Sequence, residues 1–131
     1  MRVYLDTAVV IYLVENVAPW ESAAQAFLRQ PGTVPQVSVL TRMECRVQPL
    51  RDGRADLLAD YDAFFAGLGG GLLELSPAVF EKATELRAHL NLRTPDALHL
   101  AAAISSGCDV FLTNDRTFTR CAEIRVEVLE A

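Results

Sequence analysis

Among its 131 residues the chain has one lysine, Lys82, one tryptophan, Trp20, two histidines and three cysteines. The cysteines, Cys45, Cys108 and Cys121, are odd in number and show no close pairing. That excludes a disulfide framework and a Cys/His zinc site, and points to reduced thiols in a cytoplasmic protein. With its only lysine inside an amphipathic segment, the chain has no Walker-type phosphate loop. Long apolar runs are also missing. Stretches such as Ala8 to Val14 fall far short of the roughly 20 residues needed to cross a bilayer, so no membrane partner is expected. Met1-Arg2 imitates the start of a secretory signal, but Asp6 interrupts the run and no small-residue cleavage site follows. Finally there is no basic excess. Twelve Lys and Arg against seventeen Asp and Glu leave a formal charge of -5, which excludes capture of nucleic acid by a broad basic face.

What is present is a composition of 51% hydrophobic and 22% charged residues, that of a single compact domain over residues 1–131. Apolar content and patterning exclude disorder, scattered prolines and glycines exclude a long coiled coil, and no repeat or low-complexity segment competes.

Short β-type runs alternate with helical ones. Val3-Tyr4-Leu5 is an apolar strand ending at Asp6, after which Thr7 is placed to cap a helix toward Asn16. A second helix is expected over Pro19 to Gln30, then a strand over Pro35 to Val39, with Ser38 placed to cap a helix carrying Thr41, Glu44 and Val47 that Pro49 stops. Apolar positions from Asp56 to Leu68 follow the helical interval, and the glycines from Gly67 to Gly71 end that helix. Leu72 to Leu75 is a strand, and Ser76-Pro77 opens another helix. Thr94-Pro95-Asp96 opens one that is apolar on nearly every side from Ala97 to Ile104 and should be buried. Val110 to Leu112 and Arg125 to Leu129 complete the strands. Apolar strands separated by helices predict an α/β fold, a parallel sheet covered on both faces.

In an open parallel sheet the ligand site lies at the carboxyl ends of the strands. Asp6 follows the first strand and Asp115 follows the fourth, through Thr113-Asn114. Glu44 lies about two turns into the helix after the second strand, and Asp96 sits in the first turn of the buried helix. Each alone has a modest explanation: Asp96 complements a helix dipole, Asp115 caps a turn, and Glu44 is a solvated helix residue. Together they are harder to dismiss, because the topology gathers them. Two like charges about 4 Å apart repel by roughly 4 kcal/mol at an effective dielectric of 20, so the set needs a positive partner. Arg42 and Arg46 share the helix of Glu44 at spacings that point them away, whereas Arg93 and Arg116 are nearer and could form an ion-pair network. The reading preferred is a divalent cation, Mg²⁺ or Mn²⁺, which takes hard oxygen ligands from few carboxylates and keeps several waters. Such a site performs phosphoryl chemistry.

These residues carry a resemblance. Val3-Tyr4-Leu5-Asp6-Thr7, Ser38-Val39-Leu40-Thr41-Arg42-Met43-Glu44, the run Leu92 to Ala101 with its Arg93-Thr94-Pro95-Asp96, and Phe111-Leu112-Thr113-Asn114-Asp115 occur in an order and spacing similar to those of the PIN domain. Within that family the chain resembles the VapC-type toxins of toxin-antitoxin systems. The resemblance implies a three-layer α/β/α sandwich with a five-stranded parallel sheet and a metal-dependent ribonuclease activity. It makes Asp6 and Asp96 the principal metal ligands and lets Glu44 and Asp115 complete the acidic quartet. Thr7, Thr113 and Asn114 would shape or support the site.

The expected function is therefore that of a Mg²⁺-dependent endoribonuclease toxin acting on RNA and neutralised by a small cognate antitoxin. Outside a toxin-antitoxin system, the alternatives are an RNA-processing nuclease of the same kind or a non-catalytic acidic binding module. An aspartyl-phosphate mechanism calls for a second acid two residues after Asp6 or a lysine at a late strand end; Ala8 and the lone Lys82 speak against both. His99, three residues after Asp96, is placed to touch the metal or the leaving group, but on an all-round apolar helix the preferred reading is a packed histidine, and His89 reads as a surface one. Ile11, Tyr12, Leu13, Val14 and Trp20 offer more apolar surface than one sheet face requires. Part of it, with the second helix, is expected to serve a homodimer or an antitoxin peptide. Setting the four site acids aside leaves thirteen acids against twelve basic residues, so the excess negative charge belongs largely to the site.

Overall fold

A computed structural model describes residues 1–130. In chain order it contains β1 (Arg2–Leu5), α1 (Thr7–Glu15), α2 (Trp20–Leu28), β2 (Val34–Ser38), α3 (Val39–Arg51) and α4 (Ala55–Ala66). After a 3₁₀ turn (Gly69–Gly71) come β3 (Leu72–Leu73), α5 (Pro77–Leu90), α6 (Thr94–Ser105) and β4 (Val110–Thr113), then a second 3₁₀ turn (Arg116–Arg120) and β5 (Arg125–Val128). All strand pairings are parallel, in the order β3-β2-β1-β4-β5.

Strand alternation explains the layers. Tyr4 and its register partner Phe111 point to one face, where their rings stack at 5.4 Å and pack with Val79, Ala83 and Leu86 of α5 and the buried residues of α6. Val3, Leu5, Val110 and Leu112 point to the other, against Val9 and Val10 of α1, Ala24 of α2, Cys45 of α3 and Tyr61 and Phe65 of α4. Helices thus cover both faces, giving the expected three-layer α/β/α sandwich on a five-stranded parallel sheet. Every residue of α6 from Ala97 to Ala103 is buried, as its all-round apolar pattern requires.

Three local expectations change. Asp6, not Thr7, is the residue that caps α1, its carboxylate accepting the Thr7 N–H at 2.9 Å. Pro49 does not stop α3, which continues to Arg51. Proline in the last turn sacrifices one backbone bond, and the following N–H groups still close, Asp52 to the Gln48 carbonyl at 2.9 Å and Arg54 to that of Pro49 at 2.8 Å. The strand after the glycines shortens to Leu72–Leu73. It is placed by Gly71, where a Cβ would lie 2.7 Å from the Pro35 carbonyl oxygen, so only glycine lets the turn reach β2.

The apolar surface expected around α1 and α2 is half-buried. Ile11, Leu13, Val14 and Trp20 pack against the core, and Tyr12 stacks on Trp20 at 5.5 Å. The large apolar side chains left exposed include Met43, Val47 and Leu50, which share one stripe of α3. Among the described residues no helix is long and apolar enough to cross a membrane. All three cysteines are free and buried.

Candidate active site

The strands deliver their acids to one edge. Asp6 extends the β1 backbone by one bond, donating its N–H to the Leu112 carbonyl at 2.9 Å, and is thereby fixed against the end of β4. At that end Thr113, fully buried, donates its hydroxyl to Asp6 Oδ2 at 2.7 Å and accepts the Asp115 N–H at 3.0 Å. One hydroxyl therefore ties the first acid to the fourth. Asp115 Oδ1 accepts the Thr117 N–H at 2.9 Å and so opens the second 3₁₀ turn, the capping role available to it in sequence. From α3, Glu44 reaches back over the edge and accepts the Thr7 hydroxyl at 2.7 Å. Asp96, in the first turn of α6, faces Arg93, whose Nε lies 3.2 Å from Oδ2.

Asp6, Thr7, Glu44, Asp96, Asn114 and Asp115 all line one cleft of about 360 Å³, together with Arg93, His99 and Phe118. Thr113 lies behind the lining, and Asn114 Nδ2 donates to the Tyr12 hydroxyl at 2.5 Å. All seven expected site residues thus lie in or directly behind one cleft. The arginines separate as well. Arg42 and Arg46 turn away to Asp62 of α4 at 3.8 and 2.9 Å, and Arg116 pairs with Glu130 at 3.5 Å, leaving Arg93 as the guanidinium that faces the acids.

The acids differ electrostatically. Burial pushes the Asp6 carboxyl above the ordinary carboxylate range, against the Thr113 and Thr7 hydrogen bonds and the field of His99, while Asp96 adds to the rise. Burial also opposes ionisation of Glu44. There, however, hydrogen bonds from His99 and Thr7 and the charges of His99 and Arg93 prevail and hold it below that range.

His99 departs from the expectation of a merely packed ring. It is buried, but its Nε2 lies 2.6 Å from Glu44 Oε1 and its Nδ1 2.7 Å from the Tyr4 hydroxyl. Its spacing of three from Asp96 on one helix face was the available signal; the partner across the sheet was not visible in the chain.

Among the described residues no three His, Cys, Asp or Glu side chains form a ready-made metal cage. Each acid instead has a protein partner of its own. The donor set nevertheless fits a hard divalent cation: carboxylate and hydroxyl oxygens around a water-accessible cleft, which such an ion enters while keeping several waters.

The family model for the PIN domain matches residues 3–124. No curated protein matches the chain. Among solved structures it is similar to VapBC2 of Rickettsia felis bound to a DNA fragment from its promoter, with a TM-score of 0.80 at 17% identity, covering 99% of this chain and 100% of that one. DNA-bound VapBC of Salmonella typhimurium gives 0.67 at 20% identity, over 98% of each chain. For VapBC-5 of Mycobacterium tuberculosis the values are 0.65 and 23%, over 99% of this chain and 98% of that one. At these identities the likeness establishes the fold.

Proposed function

The chain belongs to the PIN domain family, and from that premise we propose that it is a Mg²⁺-dependent endoribonuclease, a VapC-type toxin restrained by a small cognate antitoxin. PIN domains are nucleases; the metal, the RNA substrate and the toxin role are our reading. One observation carries it: four carboxylates from four separate segments line a single cleft at the carboxyl edge of the sheet.

Asp6, Glu44, Asp96 and Asp115 would hold the cation, Mg²⁺ or Mn²⁺. When bound, that ion supplies Lewis-acid polarisation of the phosphodiester and charge for the leaving oxygen. The chain's own residues do the rest. Thr113 fixes Asp6 relative to Asp115, Thr7 orients Glu44, and Asn114 is braced by Tyr12. A carboxylate facing the cleft accepts the proton of the attacking water. Arg93, paired with Asp96, would keep that carboxylate at the cleft and present its exposed guanidinium to an RNA phosphate. Similarity to the fold of VapBC toxin-antitoxin proteins supports the antitoxin partner. The exposed stripe of Met43, Val47 and Leu50 supplies apolar surface for an antitoxin or for a second copy in a homodimer.

The test is incubation with RNA and Mg²⁺, with and without EDTA, alongside Asp6→Ala and Asp96→Ala. We expect cleavage by the unmodified chain alone, lost on chelation. Cleavage that survives chelation or either substitution overturns the mechanism, and failure to cut any RNA favours an acidic binding module. Expression of the chain should arrest growth, and co-expression of a small protein encoded beside it should relieve the arrest.

A further inference from the structure

His99 spends both ring nitrogens inside the core. Nε2 faces Glu44 Oε1, and because a carboxylate only accepts, Nε2 is the donor. Nδ1 meets the hydroxyl of Tyr4, which donates to Ser38 Oγ at 2.8 Å and lies 3.3 Å from Thr41 Oγ1. Thr41 Oγ1 in turn accepts the Ser38 N–H at 3.1 Å. Tyr4, Ser38, Thr41 and His99 are all buried, on β1, β2, α3 and α6, and the network meets the cleft at its Nε2 end, where Glu44 and Thr7, whose Oγ1 lies 3.2 Å from Nε2, line the wall beside the ring. Polar groups buried among aliphatics cost stability unless every one is satisfied, and phenylalanine and leucine would fill the same space more cheaply. A satisfied network, by contrast, selects a single geometry.

We propose that His99 is a positioning residue: braced from behind by Tyr4, its Nε2–H holds the Glu44 carboxylate in the orientation from which it serves the cleft. The proposal rests on reading the cleft as a divalent-cation site, and its first measurement needs no RNA. Glutamine places its amide nitrogen near the position of Nε2 and keeps the donor to Glu44. Asparagine places its amide near Nδ1 and keeps only the Tyr4 side.

Calorimetric titration with Mn²⁺ should leave His99→Gln within about threefold of the unmodified chain and weaken binding on the order of 10–100-fold in His99→Asn, the cost typical of losing an outer partner of a metal ligand. Melting temperature should fall in both, because each loses one buried bond, so stability and affinity move apart. In RNA cleavage His99→Asn should lose kcat with KM little changed, and His99→Gln should recover most of it. Tyr4→Phe keeps the ring stack on Phe111 and removes the hydroxyl that braces His99, together with its bond to Ser38 Oγ. It should weaken Mn²⁺ binding several-fold and serves if the asparagine variant does not fold. Equal Mn²⁺ affinity across His99→Gln, His99→Asn and Tyr4→Phe would make His99 a core residue and overturn the proposal. No Mn²⁺ binding by the unmodified chain would overturn the cleft reading on which it stands.

Discussion

The two edges of the sheet both gather polar side chains, and their charges close differently. At the amino edge Arg2 donates to the Ser106 carbonyl and, at 2.6 Å, to Gln36 Oε1. Its N–H reaches Asp109 Oδ2 at 2.7 Å, and Asp109 returns its own N–H to the Arg2 carbonyl at 2.8 Å. One guanidinium and one carboxylate share this edge without pairing, each satisfied by neutral partners: the guanidinium by Ser106 and Gln36, the carboxylate by the Arg2 backbone N–H. At the carboxyl edge four carboxylates share a cleft with one guanidinium and one imidazole. The first arrangement is complete in itself. The second carries a surplus of one sign that the fold tolerates and that a ligand of opposite sign would relieve, as expected where structural economy yields to function.

Breaking the carboxyl edge should cost activity before stability. Asp6→Asn and Asp96→Asn should each lower the initial rate of RNA cleavage on the order of 10²–10³-fold, the scale of losing one preorganised electrostatic group. EDTA should do the same to the unmodified chain, and excess Mg²⁺ should restore it. Breaking the amino edge should do the reverse. Arg2→Met removes the donor to two part-buried acceptors, the Ser106 carbonyl and Gln36 Oε1, and should cost about 1 kcal/mol in urea denaturation, while the rate per folded molecule is unchanged.

An effect of similar size sharpens the contrast through its sign. Burial raises the folded-state pKa of Asp6 above its unfolded value, so the ionised carboxylate opposes folding above the folded pKa, and that opposition fades as pH falls through it. Glu44, held low, contributes stability above its unfolded pKa that is lost in acid. In EDTA at pH 7 Asp6→Asn should therefore be more stable than the unmodified chain by about 1 kcal/mol, the usual yield of relieving one functional strain. The gain should vanish toward acid, and Mg²⁺ should stabilise the unmodified chain more than the variant. Smallest of all, Arg93→Gln removes the exposed partner of Asp96 and should change thermal stability by less than about 1 kcal/mol.

Much of this was legible in the chain because periodicity and topology are local signals. Val110 to Leu112 without polar alternation announced a strand covered on both faces, and the position of each acid after its strand announced the shared edge. Pairings across the sheet were not legible. Nothing in the spacing from residue 4 to residue 99 says that a tyrosine hydroxyl and an imidazole will meet, nor that Glu44 of α3 will find His99 of α6. Pro49 misled for an energetic reason: one lost backbone bond near a helix end is a modest penalty, and the burial of Pro49 and Cys45 offsets it. The register of β2 and β3 depended on a close backbone approach at Gly71 that a run of glycines only hints at.

The lateral strands also limit how another chain can associate. One flank of the sheet ends in a strand of only two residues, Leu72–Leu73. The other flank carries Arg125 and Glu127, paired with each other at 3.3 Å. Neither offers a long, flat, apolar row of unpaired amides, so extension of the sheet by a foreign strand is discouraged on both sides. A protein that recognises this chain is then expected to read helices and loops rather than add to its ladder, and an amphipathic helix is the form of peptide best suited to silence it.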